Sequence, residues 1–555
     1  MRWVGWPAKL VGGVLLAMFL APTLATFPAS LIDRGADGMA RLSAFPLALT
    51  LFDPYVWNCV GQSVLLAAVA SAGAAVIGLG LGLIFGRMRF RGQNALWALG
   101  LAPMAAGPML LAPSVAWLLT PISPSIGGSF ATSTSIFGLR GIALVWVEMA
   151  SFAPIVALAT AAALGRLDPA WMDAARATGA SRRQVWRDVA WPILRPGLSR
   201  AVAVIFTLIL VEPAGPLTFG LHRTLAAQIV RSSIGGDPPS RSAALVLLAI
   251  ALAWLGRSLI VGWGGADHAG GDLSGPAASV VPRRGSTFRA IVPAAWCVAS
   301  LAPLVLWLRD GLKAIGGCSS GVVWDWWLDP ELSGWSINSA TTAALAVVVD
   351  LVVLACLFGS GGRFSLPSLR LARRVFESVP PLAIASGALG LPWLLRVAAD
   401  SPRVPAGDWM RVLAAELGPG RSPGWLLVLC LAIGQWPALE RAAATARSSI
   451  RRSRVDASRL MGDSDRRASK GGRAAWPGLV SGPRVFLAFA LASTSLTPAL
   501  LLTPFSERRT LASGVFGMIL EPGPLAPKVV GPILLILAIN LVALGRFSSN
   551  PDHQG

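Results

Sequence analysis

A chain of 555 residues that is 54% hydrophobic, only 13% charged and has a mean hydropathy of +0.64 is not composed like a soluble protein, in which about a quarter of residues carry charge. A formal net charge of +20 would suit a nucleic-acid partner in a soluble domain, but here the basic residues gather between long uncharged apolar runs. That is the pattern of loops held on one side of a membrane, so nucleic acid is excluded as a partner and membrane lipid takes its place.

The first apolar run covers about Leu10–Ile32, after Arg2 and Lys9. It exceeds the roughly 7–15 apolar residues of a cleaved signal peptide and reads as a membrane span. Further spans are predicted at 62–86, 95–119, 142–163, 198–217 and 242–263. A stretch rich in Gly, Ala and Ser, 264–287, then suits a flexible linker. A second set follows at 289–308, 338–359, 378–397, 424–439, 485–503 and 529–546. Runs of about 20 apolar residues cross the hydrocarbon layer as helices, whose backbones satisfy their own hydrogen bonds. The alternating ten-residue segments of a membrane β-barrel are missing. The expected fold is therefore an all-α polytopic transmembrane helix bundle of about 12 spans. It divides into a first half, 1–263 (core about 55–265), and a second, 288–555 (core about 335–548).

Charge placement sets the orientation. With both termini on the cytoplasmic side, most of the 47 Lys and Arg residues fall in cytoplasmic segments, notably 164–200 and 441–484. The halves also echo one another in order. Gln62-Ser63 pairs with Asn338-Ser339, Asp173-Ala174 with Asp456-Ala457 and Gly179 with Gly462. Ala190-Trp191-Pro192 recurs as Ala475-Trp476-Pro477, and Arg223-Thr224-Leu225-Ala226 as Arg509 to Ala512. Both halves start on the same side, which makes these two parallel six-span repeats.

The segment between the fourth and fifth spans, LDPAWMDAARATGASRRQVWRDVAWPILRPG, predicts a helical elbow. Asp168 is placed to cap a first helix with Pro169 at its opening position. Gly179 stands where a left-handed residue closes that helix, and Ser181 with Gln184 forms a capping box for a second one. Pro192 and Pro196 are expected to end the second helix before the next span.

Asp173-Ala174-Ala175, Gly179, then Val189, Trp191 and Pro192 resemble the EAA loop of ABC importer permeases. That loop reads Glu-Ala-Ala, three residues, Gly, nine residues, Ile-x-Leu-Pro; here Asp, Val and Trp replace Glu, Ile and Leu. The resemblance implies a coupling helix that docks on a separate ABC ATPase, present in two copies, with an extracytoplasmic substrate-binding protein as the other partner. It implies a multi-pass protein of the bacterial cytoplasmic membrane that transports, is not itself an enzyme and needs no cofactor. Asp173, Ala174, Ala175, Gly179 and Pro192 would make the ATPase contact, and Asp456, Ala457, Gly462 and Pro477 a second one. The second copy departs from the pattern: Ser458 replaces the second Ala and Gly471-Gly472 interrupts the following helix. Arg182, Arg183 and Arg187 suit either acidic partner residues or anchoring at the membrane face. Two fused halves resemble the iron(III)-class permeases and, less closely, the thiamine permeases. Iron(III) or a small chelate is the cargo that this implies, with thiamine, polyamine or another small solute as alternatives.

The chain has no GxxxxGK[ST] phosphate loop. Its acidic residues in or near spans, Glu148, Glu212 and Asp350, are functional candidates, because charge is costly there. Glu212, with Thr497 at the repeat-equivalent position, is expected to line the translocation path. The two Arg-Thr-Leu-Ala turns suit either reception of a binding protein or a structural role. An ion-gradient-driven transporter and a non-transporting membrane scaffold are the competing classes; the first would leave the elbow without a role.

Overall fold

Helix starts follow the chemistry of the first residues. Asp53 accepts a hydrogen bond from the Tyr55 N–H at 2.9 Å, ahead of Pro54, whose ring fits a first helical turn. This sets the start of a long helix eight residues before the apolar stretch predicted at 62–86. The computed structural model describes residues 24–34, 40–90, 92–121, 138–164, 167, 169–234, 238–264, 283–284, 290–315, 326–358, 394–395, 408, 410–412, 425–435, 482–503, 509–520 and 527–548.

In chain order the helices are α1 (24–30), α2 (Phe45–Phe52), α3 (Pro54–Arg87), α4 (Gln93–Leu119), α5 (Leu139–Leu164), α6 (Pro169–Ala177), α7 (Arg182–Val185), α8 (Trp191–Leu210), α9 (Ala214–Thr218), α10 (Leu225–Ile234), α11 (Pro239–Gly264) and α12 (Ile291–Ile315). Then come α13 (Pro330–Phe358), α14 (Trp425–Gln435), α15 (Gly482–Ser493), α16 (Leu496–Leu502), α17 (Leu511–Leu520) and α18 (Pro527–Ser548). The described residues also include a 3-10 turn, Trp326–Leu328, and two small strand pairs: β1 (Ile32–Arg34) antiparallel to β2 (Ala40–Leu42), and β3 (Met88–Arg89) parallel to β4 (Arg283–Arg284).

Among the described residues, eight helices are long and apolar enough to cross a membrane, or nine if the bent pair α15 and α16 forms one span. These match nine of the twelve predicted spans. The predicted span at 424–439 is described only as the short α14. Those at 10–32 and 378–397 lie outside the described residues, apart from 24–32 and 394–395.

The chain divides into two compact units. One comprises 53–230, 251–329 and 515–555. At its centre α5 packs against α3, α4 and α8, and α4 packs in turn against α12 and α18. The α3–α5 contact is a near approach of backbones. A Cβ on Gly78 would lie 2.4 Å from the Ala153 carbonyl oxygen, and one on Gly82 2.7 Å from that of Ala157. These glycines, four residues apart, share one helix face, the arrangement by which small residues draw membrane helices together. Helix α4 carries Pro103, Pro108 and Pro113 and bends at Gly107, whose φ of 61° is left-handed. The bend takes backbone groups out of the helical ladder, and the Asn540 side-chain amide donates to the Ala105 carbonyl at 2.9 Å.

The second unit comprises 1–52, 231–250 and 330–514. In it α13 packs against α15. Helix α15 gives way to α16 at a 44° bend, and the Trp335 ring fills the space beside Gly514.

Candidate functional site

The elbow between α5 and α8 follows its sequence closely. Asp168 lies outside the described residues, but Pro169 opens α6. The helix closes at Gly179, φ +86°, with Gly179 N–H donating to Arg176 O at 2.9 Å and Ala180 N–H to Ala175 O at 3.1 Å. This pair of bonds is the Schellman closure, which requires the left-handed conformation that glycine adopts freely. Ser181 then caps the next helix reciprocally. Gln184 N–H donates to Ser181 Oγ at 3.4 Å, and Ser181 N–H to Gln184 Oε1 at 2.8 Å.

The junction with the next span differs from the expectation. Pro192 and Pro196 do not end the second helix: α7 runs through a π-helical turn, Trp186–Ala190, directly into α8. Pro192 falls in the first turn of α8, where its missing N–H costs little. The Trp191 N–H reaches back five residues to the Trp186 carbonyl, and this change of register absorbs the proline. The second limb of the elbow and the span are therefore one continuous helix from Arg182 to Leu210.

The elbow is rooted in a small apolar core of Ala163, Leu164, Leu167, Ala190 and Leu194, with Leu83, Trp186 and Ile193 against it. Arg195 donates to the Trp263 carbonyl and stacks on that ring at 4.9 Å, tying the start of α8 to the end of α11. Outside this root, Asp173, Ala174, Gly179 and Pro192 are exposed and Ala175 is half-buried. Asp173 is paired with Arg176 at 2.9 Å on the same helix. Arg182, Arg183 and Arg187 are also exposed. Asp173, Ala174, Ala175 and Gly179 thus share α6 and its closing turn, while Pro192 stands in the first turn of α8. Asp456, Ala457, Gly462 and Pro477 lie outside the described residues.

At the far end of α8 the helix stops at Leu210. Glu212, partly buried, accepts the Ala214 N–H at 3.2 Å and leads through Pro213 into α9. Thr497-Pro498 lies in the first turn of α16, just after the break in its own unit, so both sequence-equivalent positions stand at helix breaks. Glu148, in α5, is fully buried, and neither of its carboxylate oxygens makes a hydrogen bond among the described residues. The same holds for Asp350 in α13.

A further pair of bonds was not readable in the sequence. Leu225 N–H, at the start of α10, donates to Ser63 Oγ at 2.7 Å; Leu511 N–H, at the start of α17, donates to Ser339 Oγ at 2.8 Å. All four residues are buried. Each bond joins a repeated serine to a repeated Arg-Thr-Leu-Ala turn, one within each unit. Asn338 adds a bond from its side-chain amide to the Arg509 carbonyl at 3.3 Å. The recurrences of Gln62-Ser63 as Asn338-Ser339 and of Arg-Thr-Leu-Ala at 223–226 and 509–512 are the signals that the sequence carries.

Residues 78–263 match a family described as binding-protein-dependent transport system inner membrane component. The chain is 24% identical over 283 residues to a putative ferric transport system permease protein of Haemophilus influenzae, covering 47% of this chain and 43% of that protein. It is 30% identical over 211 residues to the sulfate transport system permease protein of Salmonella typhimurium, covering 36% of this chain and 74% of that one. It is 27% identical over 245 residues to a probable molybdenum ABC transporter permease protein of Haloferax volcanii, covering 44% of this chain and 85% of that one. The match thus spans less than half the length of the ferric relative.

Proposed function

Because the chain belongs to the family of binding-protein-dependent transport system inner membrane components, we propose that it is the permease of an ATP-driven importer, coupled through its elbow to a separate ABC ATPase. The observation that carries this is the exposed Asp173-Ala174-Ala175 helix, closed at Gly179 and mounted on a rooted, continuous span. Small side chains let a partner's backbone come close, and the fixed turn holds the angle of approach. Asp173, Ala174, Ala175, Gly179 and Pro192 form one ATPase contact. Asp456, Ala457, Gly462 and Pro477 form the other, so that two ATPase copies serve one chain. An extracytoplasmic substrate-binding protein delivers the cargo.

Twelve spans in two parallel repeats, 1–263 and 288–555 about a linker at 264–287, is the architecture we infer, with both termini cytoplasmic in a bacterial inner membrane. The matching Ser63–Leu225 and Ser339–Leu511 bonds support the duplication. Iron(III) or a small chelate is the cargo we favour, because two of the relatives matched over 47% of the chain are ferric permeases by name. Sulfate and putrescine permeases match shorter stretches. Glu212 and Thr497 lie along the path.

Affinity purification of the chain in mild detergent from its own cells tests the reading. A nucleotide-binding ATPase is expected to co-purify with the wild type and in smaller amount with Gly179→Pro, with membrane insertion unchanged. Solitary transport in liposomes under an ion gradient would refute it.

A further inference from the structure

Helix α5 presents three buried oxygens without a hydrogen-bond partner among the described residues: both carboxylate oxygens of Glu148 and the hydroxyl of Ser151. Three residues apart, they lie on one side of the helix. Against them stands α9, where Gly215 keeps the space clear: a Cβ there would come within 2.9 Å of Glu148 Oε1 and 2.4 Å of Leu144 Cδ1. Glu212, three residues before Gly215, is close enough for the two carboxylates to act on each other electrostatically. A buried carboxylate left without a donor is costly, and inside a membrane such a group marks a functional site by default. The groups gathered here offer oxygen lone pairs, and negative charge once a carboxyl gives up its proton. What completes them is a cation.

We propose that Glu148, Ser151 and Glu212 form a transit site for a cation, either a metal ion or a protonated amine, that refuses oxyanions. Among the described residues no cluster of three or more His, Cys, Asp or Glu could hold a metal. Two carboxylates and one hydroxyl therefore suit passage rather than storage, since a transported ion must also leave. The site belongs to the first half alone. The 283-residue offset that relates Asp173 to Asp456, and Pro154 to Pro437, places Leu431 opposite Glu148 and Gly434 opposite Ser151, while Thr497 answers Glu212. That the cation is cargo rests on the importer reading; that it binds does not.

The test uses the full-length chain in lipid nanodiscs and equilibrium dialysis with three probes taken separately: labelled putrescine, labelled iron(III) nitrilotriacetate and labelled sulfate. Putrescine, or iron(III) given up by its chelator, is expected to bind saturably, and sulfate not at all. The affinity is expected to fall by about tenfold or more in Glu148→Gln and to fall also in Ser151→Ala. Glutamine reproduces the shape of a neutral buried acid, so unchanged binding in Glu148→Gln overturns the proposal. Binding of neither cation, or binding of sulfate, overturns it as well. If Glu148→Gln does not fold, Gly215→Ala keeps the acid and sets a methyl beside it; unchanged binding there is equally fatal. Failure of an ATPase to co-purify sinks the importer reading and leaves this measurement standing.

Discussion

Ser63 and Ser339 do the same work in separate units: each hydroxyl receives the first N–H of a short helix that follows a broken span. Helix-opening N–H groups have no partner within the helix, and burial denies them water. Ser63→Ala strands the Leu225 N–H, which costs about 1–3 kcal/mol. Amide exchange is expected to quicken at 225–228 in that variant and to stay unchanged at 511–514; Ser339→Ala reverses the pattern. Equal quickening at both places would show that the bonds are not local clamps. These serines also mark the limit of reading by sequence. Gly179 and Ser181 were legible because their partners lie within five residues, where turn and cap chemistry are local rules. The bond from Leu225 to Ser63 closes across 162 residues, and no rule of spacing reaches that far. Glu148 was legible as an oddity, an acid in an apolar run. Its lack of partners became visible only once α5 and α9 were packed.

Element boundaries were set by capping and by pairing of helix faces more than by hydropathy. Hydropathy located α3 but missed its start, because Asp53 and Pro54 fix that by capping geometry. It also gave no account of the prolines in α8, since a change to π-helical register is a response of the backbone and not a residue preference. The glycines of α3 separate two roles cleanly. Gly78 faces the Ala153 backbone at a distance no side chain tolerates, whereas Gly80 has open space around it. Gly78→Leu is expected to destabilise the α3–α5 pair by about 1–3 kcal/mol or more, through overpacking against backbone. Gly80→Leu should fall within about 0.5 kcal/mol of wild type. Thermal unfolding in detergent compares the two; equal effects would mean that α3 does not meet α5 through this face.

At the scale of the molecule, the two elbows are unequal in sequence. The first is closed at Gly179 and capped at Ser181. The corresponding sequence of the second half has Ser458 in place of alanine and Gly471-Gly472 ahead of Pro477; in a helix each interior glycine would cost about 1 kcal/mol relative to alanine. If both dock an ATPase, native mass spectrometry of the purified complex should find two ATPase copies per chain. Gly179→Pro should then lower the ATPase occupancy further than Gly462→Pro. Equal loss from the two substitutions would mean that the divergence of the second loop has no consequence for docking.

The unbroken helix from Arg182 to Leu210 has a mechanical corollary. At about 1.5 Å per residue it is a rod of roughly 40 Å, with the cap at Ser181 on one tip and Glu212 just beyond the other. The π-helical turn accommodates Pro192, while Pro196 lies within α8 and leaves its ladder one hydrogen bond short. If the elbow docks an ATPase as proposed, a push at the Ser181 tip would be carried along this helix toward Glu212.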